Sequence, residues 1–279
     1  MPFKELKMKY KIEKFNINDL DELHSLIVHT IKSCYFEYYP KEAIEYFISY
    51  TSKEGIEKDS ADGYIIVIRN ENEIIGTGTL INTHIKRVFV NPTYQGKGYG
   101  KIIMNELEEQ AKKNGYKIVE IHSSLFAKKF YDSIGYKMFK IGKIKVENNE
   151  ILYYQRMAKA LINANSETKF NFNNKRFRVV RNDGASAEVN EQTVFNFYQN
   201  KELIYAEYSG GNVKSGEIFG IIENNKIYFY YEQENINNVK SSGKSIDSIN
   251  VWGNNKLQLI DEWEWSSKKG KGVCVLEEI

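Results

Sequence analysis

Hydrophobic positions follow two different periods along this chain, and the change falls near residue 160. Before it, apolar stripes spaced by three or four residues alternate with short apolar runs, which predicts alternating helices and strands. Leu23, Ile27 and Ile31 form one such stripe. Asn16 and Asn18 precede it as candidates for the helix N-cap. The first part of the chain is therefore predicted to be a mixed α/β domain.

Further elements of this part follow from the same periods. A second helix is predicted to begin near Pro40. Ile103, Leu107 and Ala111 share one face of a third helix, which Gly115 is expected to end. The predicted strands are GYIIVI, EIIGTGTLI, IKRVFV, YKIVEIHSS, YKMF and ILYYQRM, and the short helix AKKFYDSIG precedes the last two.

The helical period disappears after residues 158–170, which are predicted to be a linker. Short segments with period-two alternation and aromatic or β-branched bias follow, separated by turn residues such as SGGN and GNNK. About eight such strands predict a small antiparallel barrel of the lipocalin or avidin type, or a sandwich. The fold class is thus α+β, with domains over 1–160 and 168–279. The segments are FRVVR, TVFNFYQ, LIYAEYS, EIFGIIE, KIYFYYEQ, DSINVWG, KLQLIDEWEWSS and GVCVLEE.

The segment KLQLIDEWEW carries two leucines and two tryptophans on one face, interrupted by Asp261. Trp263 and Trp265, together with three tyrosines, could line the interior of a ligand-binding barrel. Alternatively, these rings simply fill a small barrel. The three tyrosines are Tyr205, Tyr228 and Tyr230.

Composition narrows the class of protein. With 42% hydrophobic and 27% charged residues, the 279-residue chain has an ordinary globular composition. Its net charge of +2 offers no broad field for a polyanion, which argues against nucleic acid as a partner. Cys34 and Cys274 form neither a disulfide framework nor a metal-spaced cluster, as expected in a reducing compartment. Without a secretion signal or an apolar run near ~18 residues, we predict a cytoplasmic protein with no membrane partner.

A glycine-rich turn joins the strand IKRVFV to the third helix. Gly96, Gly98 and Gly100 are spaced G-x-G-x-G, which does not fit the dinucleotide fingerprint. A nucleoside triphosphate loop would need glycine in place of Gln95 and a hydroxyl in place of Ile102. Glycines nevertheless let backbone N–H groups approach an anion beside a positive helix N-terminus. The turn is therefore predicted to bind a phosphate.

The turn does match the pattern Q-x-x-G-x-G. Along VFVNPTYQGKGYGKIIMNELEEQAKKNGY and LFAKKFYDSIGYK, the chain resembles the GNAT superfamily of N-acetyltransferases, over about residues 8–157. The resemblance implies that the turn wraps the pyrophosphate of acetyl-coenzyme A and that no metal is needed. The residues assigned to the coenzyme on this basis are Phe89, Val90, Gln95, Gly96, Lys97, Gly98, Tyr99, Gly100 and Phe130.

The resemblance also implies a reaction in which a primary amine of a small molecule or peptide attacks the acetyl thioester directly. A backbone N–H of Phe89 or Val90 would polarise the carbonyl. Tyr131 would protonate the leaving thiolate, since a phenol with a pKa near 10 is a suitable acid. An asparagine that often precedes this helix in relatives is missing from SSLFAKKF. Its coenzyme contact must come from another group or be absent.

A base must also take a proton from the substrate ammonium. His84, Glu120, His122 and Glu37 are candidates, and the sequence does not choose among them. The aromatic and acidic segment SCYFEYYPKEAIEYF could receive a cationic amine through Glu37, Glu42 and three tyrosines. It could equally be a packed helix pair with a solvated acidic face. The tyrosines are Tyr35, Tyr38 and Tyr39.

The C-terminal part resembles small bacterial β-rich proteins that are often labelled N-acetylglutamate synthase, on TVFNFYQNKELIYAEYSGGNVKSGEIFG and DEWEWSSKKGKGVCVLEE. It has no coenzyme loop, so the label is not expected to describe the barrel itself. The leading hypothesis is an acetyl-coenzyme-A-dependent N-acetyltransferase with an accessory barrel. Two alternatives stay open: a non-catalytic acyl-coenzyme-A sensor, and a glutamate N-acetyltransferase whose barrel forms a homodimer.

Overall fold

The computed structural model describes residues 10–162 and 169–279. The chain divides into two compact units between Leu161 and Ile162. The predicted linker, 158–170, begins within a strand that ends at Ala160, and its residues 163–168 lie outside the described ones. None of the helices in the two described ranges is long and apolar enough to cross a membrane.

The first unit is a seven-stranded sheet with the order β1-β2-β3-β4-β5-β7-β6. Neighbouring strands are antiparallel except for β4 and β5, which run parallel. The strands are β1 (Lys11–Lys14), β2 (Tyr64–Asn70), β3 (Glu73–Ile81), β4 (His84–Val90), β5 (Ile118–Ser123), β6 (Lys137–Lys145) and β7 (Ile151–Ala160). The helices are α1 (Leu20–Cys34), α2 (Lys41–Tyr50), α3 (Lys53–Asp62), α4 (Tyr99–Lys113) and α5 (Lys128–Ser133).

Strand β2 is packed on both of its faces, and this explains why its sequence is a continuous apolar run. Ile66 belongs to the same buried cluster as Ile103 of α4. Its neighbour Ile65 belongs to a second cluster with Ile27 and Ile31 of α1. Because consecutive side chains point to opposite faces, helices on both faces require apolar residues at every position.

The predicted helices and strands of this unit are confirmed, and two elements were missed. Strand β1 is exposed along its whole length at the sheet edge, so it carries no apolar alternation. Helix α3 buries only Ile56 and Asp59, which is too narrow a stripe to detect. The residues predicted to cap α1 cap a different element, because Asn16 accepts a hydrogen bond from the Asn18 N–H and is the N-cap of a short 3-10 turn before the helix. The N-cap of α1 itself is Asp19.

The second unit is a closed eight-stranded antiparallel barrel, so the predicted barrel is confirmed. Each strand pairs with the next in the chain, and the last pairs with the first, which leaves no open sheet edge. Every predicted segment overlaps one of these strands. They are β8 (Lys175–Asn182), β9 (Val194–Asn200), β10 (Leu203–Gly210), β11 (Val213–Glu223), β12 (Lys226–Asn235), β13 (Lys240–Trp252), β14 (Lys256–Trp265) and β15 (Lys271–Glu278).

Aromatic rings fill the barrel interior. Trp263 and Trp265 belong to the interior cluster, and the Trp263 indole N–H donates to Asn182 Oδ1 at 3.2 Å. The prediction that three tyrosines share this interior is wrong. Their strand neighbours, such as Ile204 and Phe229, belong to the interior cluster, so strand alternation turns the tyrosines outward. These residues are Tyr205, Tyr228 and Tyr230.

Two carboxyl groups also face the barrel interior. Asp247 and Asp261 lie directly opposite each other on β13 and β14. One oxygen of each has no hydrogen-bond partner among the described residues, and the Ser245 hydroxyl lies 3.5 Å from Asp247 Oδ1. Burial raises the pKa of both groups, to about 7 for Asp261. At least one of them therefore holds a proton near neutral pH.

Candidate active site

Strands β4 and β5 pair only near their beginnings, at His84 with Glu120 and at Ile85 with Ile121. Beyond that point β4 stays paired with β3, where an extra residue forms a bulge. Arg87 lies in this bulge with a left-handed φ of 52°. A bulge bends its strand away from the ladder. The two parallel strands therefore separate and leave a wedge between them.

The wedge exposes main-chain groups of β4. The Asn91 N–H donates to the Ile75 carbonyl of β3 at 2.9 Å. Because N–H groups along a strand point alternately to either side, the Phe89 N–H also points towards β3. The Val90 N–H points into the wedge. Of the two residues left open by the sequence, only Val90 thus presents an N–H there.

The glycine turn lies at the mouth of the wedge and leads into α4. Gly96 and Gly98 have left-handed φ values of 74° and 90°, a conformation that favours glycine. Gly98 is the N-cap of α4 and offers no side chain to the first N–H groups of the helix. These donors are left for an external anion, which the helix dipole also favours.

The side chains of Gln95, Lys97 and Tyr99 in and after the turn differ in burial and in hydrogen-bond partners. The Gln95 amide donates to the Val90 carbonyl at 3.0 Å and so fastens the turn to the end of β4. Lys97 is exposed, and its ammonium donates to the Thr93 carbonyl at 2.9 Å. Tyr99 is buried in the core under the turn. The Lys97 ammonium also lies over the Tyr94 ring, and the assignment of Lys97 to the coenzyme stays a prediction.

A cavity of about 550 Å³ runs along the turn. Phe130 forms part of its wall, and a Cβ on Gly100 would come within 3.0 Å of the Phe130 ring. Glycine at this position therefore lets the ring lie against the start of α4. Lys101 and Lys129 also line the cavity, although sequence reasoning missed them. Lys101 could have been found from its place in the first turn of α4.

A second cavity of about 320 Å³ opens on the other side of Tyr131. Its walls come mainly from Tyr35, which follows α1, from aromatic residues of α2, and from β4, β5 and β7. Val88, Ala127 and Tyr131 line both cavities, so the two adjoin there. The aromatic lining residues are Tyr35, Tyr46, Phe47, Tyr50, Phe89, Tyr131 and Tyr154.

Tyr131 is buried at this junction, with 7% of its surface exposed. Burial raises the pKa of its phenol above the usual 10.0, and the nearby Tyr35 adds to the effect. The group therefore stays protonated over the physiological range. In the preceding turn, where relatives often have asparagine, the Ala127 N–H donates to the Ser124 hydroxyl at 3.3 Å.

Three of the four candidate bases lie together. His122 Nε2 is 2.9 Å from Glu120 Oε1, and the His84 and His122 rings are 4.5 Å apart. Burial alone would raise the pKa of Glu120, but the hydrogen bond from His122 and the charge of Arg156 hold it at about 2. Burial lowers the pKa of His84 to about 3, with a further contribution from His122. The fourth candidate, Glu37, is exposed and lines neither cavity.

The expected acidic surface for a cationic amine does not form in this cavity. Glu42 is half-buried, does not line the cavity, and accepts a hydrogen bond from the Asn148 amide at 2.8 Å. Tyr38 is also exposed, and the Tyr39 hydroxyl is engaged by the Leu125 N–H at 2.7 Å. Of the residues predicted for this role, only Tyr35 lines the cavity.

Comparisons with known proteins agree with this geometry. Residues 36–161 match the family model of the acetyltransferase (GNAT) domain, and residues 170–279 match that of avidin-like protein. An uncharacterized acetyltransferase of Streptococcus pyogenes serotype M1 is 30% identical over 101 residues, which are 34% of this chain and 68% of that protein. A second one from Streptococcus pyogenes is 28% identical over 117 residues, 40% of this chain and 77% of the other. The protein is therefore an acyltransferase.

More specifically, the chain belongs to the GNAT acetyltransferase family. A crystal structure from Rhodopseudomonas palustris, described as a GCN5-related N-acetyltransferase and as an aminotransferase of class II, shares the fold. The TM-score is 0.50 at 20% identity, over 54% of this chain and 94% of the other. The predicted fold class is confirmed for both units. The resemblance of the barrel to proteins labelled N-acetylglutamate synthase stays a prediction.

Proposed function

We propose that this protein transfers an acetyl group from acetyl-coenzyme A to the primary amine of a small molecule or peptide, by direct attack in a ternary complex. The observation that carries the proposal is the junction at Tyr131. There, a cavity lined by the glycine turn adjoins a separate cavity with aromatic walls. Two substrates bound in the two cavities would meet with their reacting groups beside the same phenol.

The coenzyme would occupy the larger cavity. Backbone N–H groups from Gly96 to Gly100 and the N-terminus of α4 would bind its pyrophosphate, as the open N-cap at Gly98 allows. Lys101 and Lys129 add positive charge along the same wall. Phe130 would lie against the pantetheine arm. This arrangement uses fixed main-chain dipoles and needs no metal to hold the phosphates.

The acyl transfer itself needs a polarised carbonyl and a proton for sulfur. The Val90 N–H, which points into the wedge, would donate to the thioester oxygen as negative charge develops there. The amine nitrogen forms a bond to the acetyl carbon, and the carbon–sulfur bond breaks. Tyr131, kept protonated by burial, would give its proton to the leaving thiolate.

The base is assigned to His122, held by Glu120. His122 lines the smaller cavity, and its Nε2 lies 2.9 Å from the Glu120 carboxylate. The low pKa of Glu120 keeps that carboxylate charged, so it would orient the imidazole. His84 is a weaker choice, because burial lowers its pKa to about 3. Glu37 is too exposed to serve.

Two measurements test the proposal. Calorimetry with acetyl-coenzyme A should show binding at one site, and coenzyme release should be followed over amino acids, polyamines, aminoglycosides and peptides. Turnover with at least one amine supports the proposal. Tight coenzyme binding without turnover of any amine would favour the non-catalytic acyl-coenzyme-A sensor instead. Absence of coenzyme binding would overturn both the enzyme and the sensor hypotheses. Cytoplasmic location and a homodimer stay predictions.

The role of His122 has its own test. The variant His122→Asn should lower kcat at neutral pH, where the amine is mostly an ammonium ion. The loss should shrink as the pH approaches about 10, where primary amines are neutral without help from the enzyme. A loss that is equal at every pH would assign His122 a structural role.

A further inference from the structure

The wall of the smaller cavity carries positive charge. Lys86 and Arg87 both line it, while no aspartate or glutamate of the described ranges does. Its two histidines do not offset this charge, since an imidazole is neutral or cationic. A polyamine or an aminoglycoside would bring further positive charge into a confined space, which is unfavourable. The charge of the wall thus favours an acceptor with an anionic group.

The two cations share a single carboxylate. The Lys86 ammonium lies 2.9 Å from Asp59, and Arg87 Nη1 donates to the same carboxylate. Two positive side chains against one negative side chain leave a net charge of +1. A buried uncompensated charge is costly, so a bound anion would stabilise this part of the wall.

Arg87 also has donors to spare. Its Nη2 reaches only the Tyr50 carbonyl, at 3.5 Å, and its Nε has no partner in the part of the chain that the structure describes. The side chain is 5% exposed and its Nε has almost no accessible surface, so the contact open to a ligand is the part of the guanidinium that lines the cavity. A guanidinium presents its donors as a planar fork that matches the two oxygens of a carboxylate.

The backbone at Arg87 is strained in a way that directs the side chain. A φ of 52° is unfavourable for a long side chain, whereas glycine or asparagine adopts it readily. Such strain is typical of functional sites, where the surrounding structure maintains it. Here the bulge turns Arg87 from the regular alternation of β4 to the cavity wall.

We propose that the acceptor is an amine that also carries a carboxylate, of the size of a single amino acid, and that Arg87 with Lys86 binds this carboxylate. The inference rests on the proposed function, because it names the substrate of the same site. The cavity of about 320 Å³ suits one small molecule. Aromatic walls from Tyr46, Phe47 and Tyr50 would contact its apolar part. The amine would then face Tyr131 and His122.

Matched acceptors test the charge requirement directly. The twenty amino acids should be compared with their amides and with the decarboxylated amines, for example tyrosine, tyrosine amide and tyramine, by coenzyme release with full-length protein. We expect kcat/KM to be higher by about tenfold or more for the carboxylate, a discrimination that one buried charged contact can supply. Polyamines and aminoglycosides should be poorer acceptors than the best amino acid.

The variant Arg87→Asn tests the residue. Asparagine tolerates the left-handed backbone, and Lys86 still pairs with Asp59, so the variant should fold. We expect KM for the best amino acid to rise about tenfold, with little change in kcat, and its advantage over the amide to disappear. Binding of acetyl-coenzyme A should be unchanged. Arg69→Asn is the control, because Arg69 also pairs with carboxylates but lines neither cavity.

The outcomes separate this inference from the proposed function. If amides or decarboxylated amines are acetylated as well as the amino acids, the enzyme is active but the carboxylate site is wrong. Unchanged discrimination in Arg87→Asn, with the protein folded by circular dichroism, would equally overturn it. Failure of every amine despite coenzyme binding would instead overturn the proposed function, and this inference with it.

Discussion

The two units use opposite solutions for the polar groups of a β-sheet. In the first unit, β4 and β5 separate after two residue pairs, and the Val90 N–H is left facing a cavity. In the second unit, eight strands close on themselves and pair every edge. The open sheet therefore offers main-chain donors to a ligand, whereas the barrel uses its donors internally.

Unsatisfied polar groups have different meanings in the two units. Around the wedge, the open N-cap at Gly98 lies against a cavity, where a ligand could satisfy its donors. In the barrel, the paired carboxyl groups of Asp247 and Asp261 lie in a packed interior. The comparison indicates that a polar group without a hydrogen-bond partner can bind a ligand in the open sheet, whereas in the closed barrel it lowers the stability of the fold.

The largest effect is expected from removing the phenol at the junction. Tyr131→Phe should lower kcat by about 10²–10⁴, the range typical of a lost general acid, with little change in coenzyme affinity. Steady-state coenzyme release with the best acceptor measures this. Tyr136→Phe is the matched control, since it removes a buried hydroxyl of a neighbouring ring that lines neither cavity. Equal activity of both variants would show that another group protonates the thiolate.

The next effect tests the open N-cap. Gly98→Ala adds a Cβ at a φ of 90° and should weaken acetyl-coenzyme A binding by about tenfold, equivalent to about 1.4 kcal/mol. Gly115→Ala, at a φ of 83° and equally free of neighbours, imposes the same backbone strain away from the site. Calorimetry should separate the two variants. Similar affinities in both would contradict phosphate binding at the turn.

The barrel carboxyl groups should respond to pH in the opposite sense from a surface ion pair. Their pKa values are raised in the folded state, so the folded protein holds protons that the unfolded chain releases. The stability that this pair contributes should therefore be fully present below the unfolded pKa of 3.8 and should be lost as the pH rises through about 7. Asp247→Asn should flatten this dependence and add about 1–3 kcal/mol at pH 8, since the amide cannot ionise and so removes the cost of a second buried charge.

Tryptophan fluorescence during urea unfolding suits this measurement, because all 3 tryptophans of the sequence lie in barrel strands. Asp183→Asn, which changes an exposed carboxylate of the same unit, should leave the pH dependence as it is. If the unmodified protein and Asp247→Asn show the same pH dependence of stability between pH 4 and pH 8, the buried pair does not hold the extra proton.

The smallest effect concerns the cavity wall. A Cβ in Gly100→Ala would lie 3.0 Å from the Phe130 ring, so the ring must shift by a few tenths of an ångström. We expect KM for acetyl-coenzyme A to rise by a factor of about two to five, a cost below about 1 kcal/mol. The double variant with Phe130→Leu should recover part of the loss. If it does not, the ring does not limit the cavity.

Local signals predicted most of the fold. The stripe of α4, the glycines before it and the alternation of the barrel strands are each contained in a few neighbouring residues. Elements without such a signal were missed, as in exposed β1 and polar α3. The glycine turn was found from its spacing, and Lys101 could have been found from its place in the first turn of α4. Arg87 could not, because an arginine within a strand has no distinctive pattern in the sequence.

The sequence by itself determined the types of element, the anion-binding turn and the tyrosine of α5, because backbone preference and side-chain period act over short distances. Only the tertiary structure decided that His122 lies against Glu120, that Glu37 lines neither described cavity, and that Lys86 and Arg87 line the smaller one. It also turned three barrel tyrosines outward. These features depend on strand register and on the bulge at Arg87, which bring together residues distant in the chain and set which way each side chain points.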